Sequence, residues 1–307
     1  MFSLESNLDF FEKAFEPLFY LFNPTKRIFF LYSLSSLILA IILLIPNSSL
    51  KQSLQKIFNK KIWFHRSSKI DVQFLFTNSF IRALMFIFFS FTSIAVAKWT
   101  LRTLNRSFPD NQLWSFSYSD VILLYALSSF VILDFTRFLQ HYLFHKIPIL
   151  WRFHKIHHSA EVLTPLTLYR THPIESLVSN LRRTFVIGVL SGLFLFKTRS
   201  MISGYEILGV NTFDFVFNIF GSNLRHSHIW LSFGPLNYLF MSPAQHQIHH
   251  SRAQKHFDKN FGFALSIWDL AFRSFYQVKE KEFLILGVRG ALYKSYWQAL
   301  KAPFVSK

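Results

Sequence analysis

The chain has 307 residues, of which 51% are hydrophobic and 19% aromatic, so it is richer in apolar side chains than an ordinary soluble domain and is predicted to be a membrane protein. It contains no cysteine, which excludes disulfides, cysteine-held iron–sulfur clusters, haem–thiolate iron and cysteine-ligated zinc, and leaves metal binding to nitrogen and oxygen. Its formal net charge of +17 would suit nucleic acid in a soluble protein, but here the basic residues flank apolar runs, where they match anionic lipid head groups. We therefore expect a membrane, and no nucleic acid, as partner.

Three apolar runs in the first half of the chain are predicted to cross the membrane. The first, residues 28–45, has no charged residue and is long enough for a hydrocarbon core of about 30 Å. The second covers about residues 80–97 and the third about residues 121–139. The third contains Asp134, which at membrane depth must face the protein interior or pair with Arg137, unless it lies at the water interface.

Two further apolar stretches, at about 185–196 and 201–220, form a hairpin-like pair. The first is short for a full span and the second carries Glu206 and Asp214, so we expect re-entrant or half-buried helices. The loop after the first span has more basic residues than the loop after the second, which predicts that the former is cytoplasmic. Three crossings then bring everything from His141 onward to the cytoplasmic side, and the hairpin returns there.

Eight of the thirteen histidines fall into three short clusters. The clusters are HYLFH with His141 and His145, HKIHH with His154, His157 and His158, and HQIHH with His246, His249 and His250. Residues three and four apart lie on one face of a helix, so each cluster can direct its imidazoles at one point, as shared metal coordination requires. Single histidines that cap helices or satisfy buried polar groups explain His65 and His256, but they do not explain three clusters.

The number of histidines indicates two metal ions. Eight imidazoles exceed the four positions of one tetrahedral zinc. Imidazole suits iron, zinc, copper and nickel alike, so the ligand type alone does not choose the metal. Soluble di-iron bundles use glutamates and Glu-x-x-His pairs instead, and this sequence has no such acidic repeat.

Six segments carry a resemblance to one known family. HYLFH, LWRFHKIHHS and MSPAQHQIHHS, together with RTHPIE, RHSHIWLSFGPLNYLF and DKNFGFALSIWDLAF, resemble in order and separation the histidine boxes and flanking segments of the sterol desaturase and fatty acid hydroxylase superfamily. The family's usual glycine and threonine after the last segment are replaced here by Arg273 and Ser274. The resemblance divides the chain into an N-terminal membrane region, residues 1–119, a catalytic domain, residues 120–277, and a C-terminal tail, residues 278–307.

The resemblance implies an all-α fold, a polytopic integral membrane helical bundle with a cytoplasmic, helical, histidine-box site for two metals. Position by position, it implies as metal ligands His141, His145, His154, His157, His158, His226, His246, His249 and His250. His172 is a tenth candidate, as a ligand or as a hydrogen-bond donor that orients another imidazole. Asp134, Asp258 and Asn260 are expected to orient ligands or support the fold, whereas His228 could be a ligand, an orienting donor or a surface histidine.

The function that the resemblance implies is an iron-dependent oxidoreductase that uses O2 to hydroxylate a C–H bond of a sterol, fatty acyl or other lipid. Desaturation of the lipid is an alternative that the sequence leaves open. The chain has neither G-x-G-x-x-G nor HPGG, so we expect no fused haem or flavin domain and a separate electron donor, a reductase with a cytochrome or ferredoxin.

A zinc hydrolase or a metal transporter is the alternative of a different class. A zinc hydrolase would need an H-E-x-x-H pair or an open site of three histidines and a water, and none of the clusters contains the glutamate. A transporter would need its histidines within the membrane spans, whereas these histidines follow the spans. Both alternatives are therefore disfavoured.

Overall fold

The computed structural model describes residues 11–88, 92–110, 113–198, 211–290 and 293–305. These residues form α-helices, short 3-10 turns and an isolated β-bridge between Phe240 and Leu265, with no strand among them. The α-helices in chain order are α1 (Phe30–Leu44), α2 (Leu50–Ile57), α3 (Lys60–Trp63), α4 (Arg66–Phe88), α5 (Ser93–Ser107), α6 (Tyr118–Lys146), α7 (Pro148–His158), α8 (Pro173–Thr198), α9 (Thr212–Ile219), α10 (Pro243–His249), α11 (Ile267–Ala271) and α12 (Tyr296–Lys301). The prediction of an all-α fold is confirmed for the described residues.

Within the described residues, three helices are long and apolar enough to cross a membrane. They are the segment Phe30–Asn47, which contains α1, and the helices α6 and α8. The first and third predicted spans are therefore confirmed, and α6 continues past the predicted end as far as Lys146. This extension carries the first histidine cluster on the last turns of a candidate membrane helix.

The predicted span over residues 80–97 corresponds to parts of two helices, and residues 89–91 lie outside the described residues. Helix α4 ends at Phe88 and α5 begins at Ser93. Thr92 starts the new helix, because its side-chain oxygen accepts a hydrogen bond of 3.1 Å from the backbone N–H of Ala95 and so caps the first turn of α5.

The expectation of a short helix over residues 185–196 also needs correction. That stretch is the second half of α8, which begins at Pro173 and is long enough to cross a membrane. Proline fits the first turn of a helix, where its missing N–H is not needed, so the helix can start well before the apolar stretch. Residues 201–210 of the second stretch, with Glu206, lie outside the described residues.

Helices α6 and α8 run antiparallel, and their contacts fix which ends lie together. Near one end, the side-chain amide of Gln140 donates to the Ser179 hydroxyl at 2.6 Å. Near the other end, the backbone N–H of Trp114 donates to the carbonyl oxygen of Lys197 at 3.0 Å. The C-terminus of α6 and the N-terminus of α8 therefore lie at the same end of the bundle, beside the histidine clusters.

Two glycines allow α5 to pack closely against α8. A Cβ atom added at Gly188 would lie 2.4 Å from the Cβ of Val96, and one added at Gly192 would lie 2.5 Å from the Cβ of Thr100. The G-x-x-x-G spacing therefore serves close helix contact, which is its usual role in membrane helices.

We expect Gly192→Ala to destabilise the protein by about 1–3 kcal/mol, since the added methyl group meets the side chain of Thr100 and the backbone oxygen of Ala97, neither of which can withdraw without moving α5. Thermal unfolding in detergent measures the effect. Val178→Ile adds one carbon on the exposed face of the same helix and should leave the melting temperature unchanged. An unchanged melting temperature for Gly192→Ala would mean that the two helices do not pack this closely.

Candidate metal centre

Four parts of the chain bring histidines to one end of the bundle. The last turns of α6 carry His141 and His145, and the chain then reverses at Pro148, the first residue of α7. The C-terminal half of α7 carries the second cluster, and α10 with its C-terminal cap carries the third. His226 ends a 3-10 turn, Ser222–His226, which packs against α10.

The nine histidines form two groups, and the ligand atoms of each group lie within 4.8 Å of one another. The first group is His141, His145, His154, His158 and His249, and the second is His157, His226, His246 and His250. Each group combines residues from more than one cluster, so His249 of the third cluster joins the first group and His157 of the second cluster joins the second. Neither group contains a carboxylate.

The Nε2 atoms within each group face one another. The Nε2–Nε2 distances are 3.1 Å for His141–His154 and His145–His158, 3.0 Å for His226–His246 and 3.2 Å for His246–His250. Two imidazole nitrogens bound to one ion at about 2.1 Å and roughly 90° apart would lie about 3 Å from each other. The nitrogen spacing therefore fits one ion in each group.

Hydrogen bonds on the opposite side of the rings fix the tautomer of four histidines. Their Nδ1 atoms lie beside oxygens: 2.7 Å from the Phe261 carbonyl for His141, 2.8 Å from Glu175 Oε1 for His154, 3.3 Å from the Arg170 carbonyl for His157 and 2.8 Å from the Lys259 carbonyl for His249. Carbonyl and carboxylate oxygens only accept, so Nδ1 donates and the unprotonated Nε2 is directed at its group. Such partners are typical of metal-binding histidines.

Burial keeps five of the imidazoles neutral. Loss of solvent lowers the pKa of His157 and His249 to about 3, and it lowers the pKa of His158, His226 and His246 well below the ordinary value. Neutral imidazole is the form that binds metal. The buried Nε2 of His249 has no hydrogen-bond partner among the described residues, so a metal ion would satisfy an atom that the protein leaves unpaired.

Asp134 anchors the loop that follows the metal centre. Its carboxylate accepts hydrogen bonds from the backbone N–H groups of Ala264 and Leu265, at 2.7 and 3.1 Å, and from the indole N–H of Trp268 at 2.9 Å. The carboxylate is buried in the protein interior, and both of its oxygens accept hydrogen bonds from these donors. Asp134 therefore stabilises the packing of α6 against α11 and the loop before it.

Asn260 and Asp258 lie in the loop that supplies the carbonyl oxygens beside the histidines. The buried Asn260 donates to the carbonyl oxygen of Gln245 and accepts from the backbone N–H of Tyr276. Asp258 forms an ion pair of 2.6 Å with Lys146, and its other oxygen lies 3.8 Å from Nδ1 of His145. Both residues therefore hold the loop against helices that carry histidines.

The structure places His172 and His228 outside both groups. His172 accepts a hydrogen bond on Nδ1 from the backbone N–H of Ile174, and its Nε2 lies 3.2 Å from the carbonyl oxygen of Leu300. His228 is partly exposed, and its Nε2 lies 2.7 Å from the carbonyl oxygen of Lys56. These contacts leave neither Nε2 directed at the two groups.

Glu175 and Arg170 contribute to the centre although sequence reasoning did not single them out. Both belong to the RTHPIE segment, which was used only as a sign of resemblance. Glu175 is the partner of His154, and the fully buried Arg170 donates to Asp71 and to the Ile156 carbonyl while its own carbonyl accepts from His157. A charged residue in an otherwise apolar stretch was the signal that could have identified each of them.

Comparison of the sequence with protein-family models gives a match. The model of the fatty acid hydroxylase family matches residues 126–274, which include all nine histidines. Just under half of the chain therefore matches the fatty acid hydroxylase family. The resemblance drawn from the histidine clusters is thereby confirmed. No solved structure gives a significant match to the chain.

The curated proteins to which the chain is similar include an ornithine lipid hydroxylase and alkylglycerol monooxygenases. An ornithine lipid hydroxylase of Rhizobium tropici is 29% identical over 177 residues, 58% of this chain and 49% of the relative. Alkylglycerol monooxygenases of Xenopus tropicalis and Homo sapiens are 28% and 25% identical, and each alignment covers 50% of this chain and 31% of the relative. The chain thus matches about half or less of the length of each of these relatives.

The departure from the family pattern at Arg273 has a visible backbone consequence. Arg273 has a φ of 59°, in the left-handed region that glycine adopts without strain. The neighbouring Ser274 donates a hydrogen bond of 2.6 Å to Asp269, and the Asp269 carbonyl accepts from the backbone N–H of Ser274. The turn therefore keeps the conformation that suits glycine, with arginine in that place.

Proposed function

We propose that this chain is a membrane-bound, O2-dependent lipid oxidoreductase with two iron ions, and that it hydroxylates a C–H bond of a lipid. The observation that carries the proposal is the pair of histidine groups, nine imidazoles with no carboxylate among them, at the end of candidate membrane helices. The curated relatives support it, because their names describe a lipid hydroxylase and lipid monooxygenases.

The residues of the two groups would hold the metal ions, five histidines for one ion and four for the other. Two bound iron ions supply the activation of O2 that oxidation of an unactivated C–H bond requires. The chain itself orients the imidazoles through Glu175 and three backbone carbonyls. In the balanced reaction one oxygen atom enters the C–H bond and the other leaves as water, which consumes two electrons and two protons from a donor.

The lipid would bind in a cavity of about 310 Å³ that lies against both histidine groups. His141 and His154 of the first group and His157, His226 and His246 of the second line it. Leu133, Phe144 and Phe261 add apolar surface beside these histidines. The apolar surface excludes water from the reacting carbon, and the cavity wall fixes which carbon faces the metals.

The electrons would come from a separate reductase with a cytochrome or ferredoxin, through a second cavity. This cavity, of about 680 Å³, is lined by the remaining four histidines, His145, His158, His249 and His250, together with Trp151 and the basic residues Arg252 and Arg289. The two cavities share no lining residue. The two arginines outnumber Asp258, the one acidic residue of the lining, and this excess of positive charge suits an acidic protein partner.

The experiment that tests the function combines metal analysis with lipid mass spectrometry. We expect about two irons per purified chain and, in cells that express the gene, a lipid that is heavier by one oxygen atom than in cells that lack it. A lipid that is lighter by two hydrogens would identify desaturation instead. One zinc per chain with no iron-dependent O2 uptake would contradict the proposal.

We further propose that the histidine groups face the cytoplasm, and the absence of native cysteine makes the test direct. Single cysteines at Lys60 and Glu280, both exposed and on the histidine side, should react with an impermeant maleimide only after the cytoplasmic side is opened. A cysteine at Asp110, beyond the opposite end of α5, should react from outside. The reverse pattern would place the site on the outer face.

A further inference from the structure

The lipid cavity carries an excess of positive charge beside the histidine groups. Five arginines line it, and they come from the segment before α1, from α6, from α8 and from the turn that ends in His226: Arg27, Arg137, Arg182, Arg183 and Arg225. Three carboxylates line the same cavity, those of Asp134, Glu175 and Asp214. The lining therefore has two more cationic than anionic side chains, before any metal is counted.

Three of the guanidinium groups converge on one aromatic ring. The guanidinium carbons of Arg137, Arg225 and Arg27 lie 3.3, 4.6 and 5.2 Å from the ring centroid of Phe263. Cation–π contact offsets part of the cost of placing each charge there. It does not neutralise the charges, so three like charges remain within a few ångströms of one ring.

The five arginines have no carboxylate partner in the part of the chain that the structure describes. Among the described residues, none of the five forms an ion pair within 4.0 Å. Arg225 is 1% exposed, and its Nε and Nη1 lack any hydrogen-bond partner, as do the buried Nε and Nη1 of Arg27. Burial lowers the pKa of Arg27 to about 10, so this guanidinium still carries its charge at neutral pH.

Two of the three carboxylates that line the cavity are hydrogen-bonded to groups other than the arginines, and the three together balance only part of the five positive charges. The Asp134 carboxylate accepts hydrogen bonds from two backbone N–H groups and an indole N–H, and the Glu175 carboxylate accepts one from His154. Only Asp214 remains for the cluster. Buried charges without partners are costly and are retained where a ligand completes them.

We propose that the substrate is a lipid with an anionic head group, a phosphate or a carboxylate, and that these arginines bind it. This inference rests on the proposed function. Guanidinium groups bind both anions through paired N–H donors. Arg137 and Arg183 have exposed side chains and, among the described residues, no protein hydrogen bond that a ligand would have to displace. Because the same cavity is lined by histidines of both groups, the oxidised carbon lies within a few bonds of the head group and not at the far end of an acyl chain.

Binding to the purified full-length chain tests the proposal without depending on activity. The probes are dioctanoyl phosphatidic acid, decanoate, dioctanoylglycerol and inorganic phosphate, titrated calorimetrically in a neutral detergent. We expect at least one anionic lipid to bind roughly 10-fold or more tightly than dioctanoylglycerol, since two or more charge-assisted contacts are gained. Inorganic phosphate that binds as tightly as both anionic lipids would identify a free-anion site and overturn the lipid assignment.

Arg137→Gln and Arg183→Gln should each weaken anionic lipid binding by about 10-fold and leave dioctanoylglycerol binding and iron content unchanged. These two positions are chosen because the buried Arg225 donates to the Met241 and Phe263 carbonyls and its loss can disturb folding. Arg66→Gln, at an exposed arginine outside the cavity that pairs with Glu161, is the matched control and should change nothing.

Equal binding of anionic and neutral lipids, or binding unaffected by Arg137→Gln and Arg183→Gln, would overturn the proposal. The proposed function would stand in that case, because iron content and lipid oxidation are measured separately. Conversely, anionic lipid binding that depends on both arginines in a chain without iron would uphold the head-group site and contradict only the oxygenase.

Discussion

His157→Ala is expected to abolish lipid oxidation and to lower the iron content of the purified protein, with the membrane helices still able to insert. His157 faces the second group, where its Nε2 lies 3.3 Å from that of His226 and its Nδ1 is oriented by the Arg170 carbonyl. His249→Ala should act in the same way on the first group. Metal affinity depends on the complete ligand set, so one lost imidazole is sufficient.

Iron per chain and product formation, measured together, decide this prediction. His65→Ala is the control, because the Nδ1 of His65 accepts a hydrogen bond from the backbone N–H of Ser67 and the residue belongs to neither group. It should retain full iron and full activity. Full iron and full activity in both His157→Ala and His249→Ala would remove the basis for a di-iron site.

Glu175→Gln is expected to lower iron affinity or activity by about 10–100-fold and to preserve the fold, as loss of a partner that orients a ligand typically does. The Glu175 carboxylate accepts from Nδ1 of His154 at 2.8 Å and is buried with it. Glutamine keeps the shape of the side chain and can still accept that hydrogen bond. It lacks the negative charge, which makes the imidazole of His154 a stronger metal ligand. A loss of iron affinity or activity would therefore result from the missing charge and not from a change in packing.

Chelator competition gives a readout for Glu175→Gln that a purely structural role would not change. We expect the variant to lose iron at a lower chelator concentration than the wild type, at an unchanged melting temperature. Glu161→Gln, which removes only an exposed ion pair with Arg66, should lose iron at the wild-type concentration. A lower melting temperature with wild-type iron retention would show that Glu175 supports the fold alone.

Sequence spacing predicted which histidines come together, but it did not predict how they divide. Spacings of three and four residues place imidazoles on one face of a helix, and the eight histidines of the three clusters do lie in the two groups. His226, which only the resemblance added, joins the second group, whereas the tenth candidate, His172, belongs to neither. The assignment of His249 to the first group and His157 to the second depends on how α10 packs against α6 and α7. That packing is a tertiary feature, so it cannot be predicted from the residue spacing within a single cluster.

Neither the helix boundaries nor the charged cavity could be predicted from the sequence, and the reasons differ. Apolar composition found α1 and α6, but the break before Ser93 depends on one capping threonine within an apolar run. The arginines of the cavity are far apart along the chain, except Arg182 and Arg183, so no local pattern marks them. The antiparallel pairing of α6 with α8 brings Arg137 close to Arg182 and Arg183, and the packing of the segment before α1 and of the turn Ser222–His226 adds Arg27 and Arg225.

The separation of the two cavities has a kinetic consequence. The nine histidines divide between them without overlap, five facing the smaller cavity and four facing the larger. In the assignment proposed above, a lipid in the smaller cavity would leave the larger cavity open to the electron donor, and a complex with both reactants would form in either order. An inhibitor shaped for the arginine cavity would compete with the lipid but not with the electron donor, so raising the donor concentration would not relieve the inhibition.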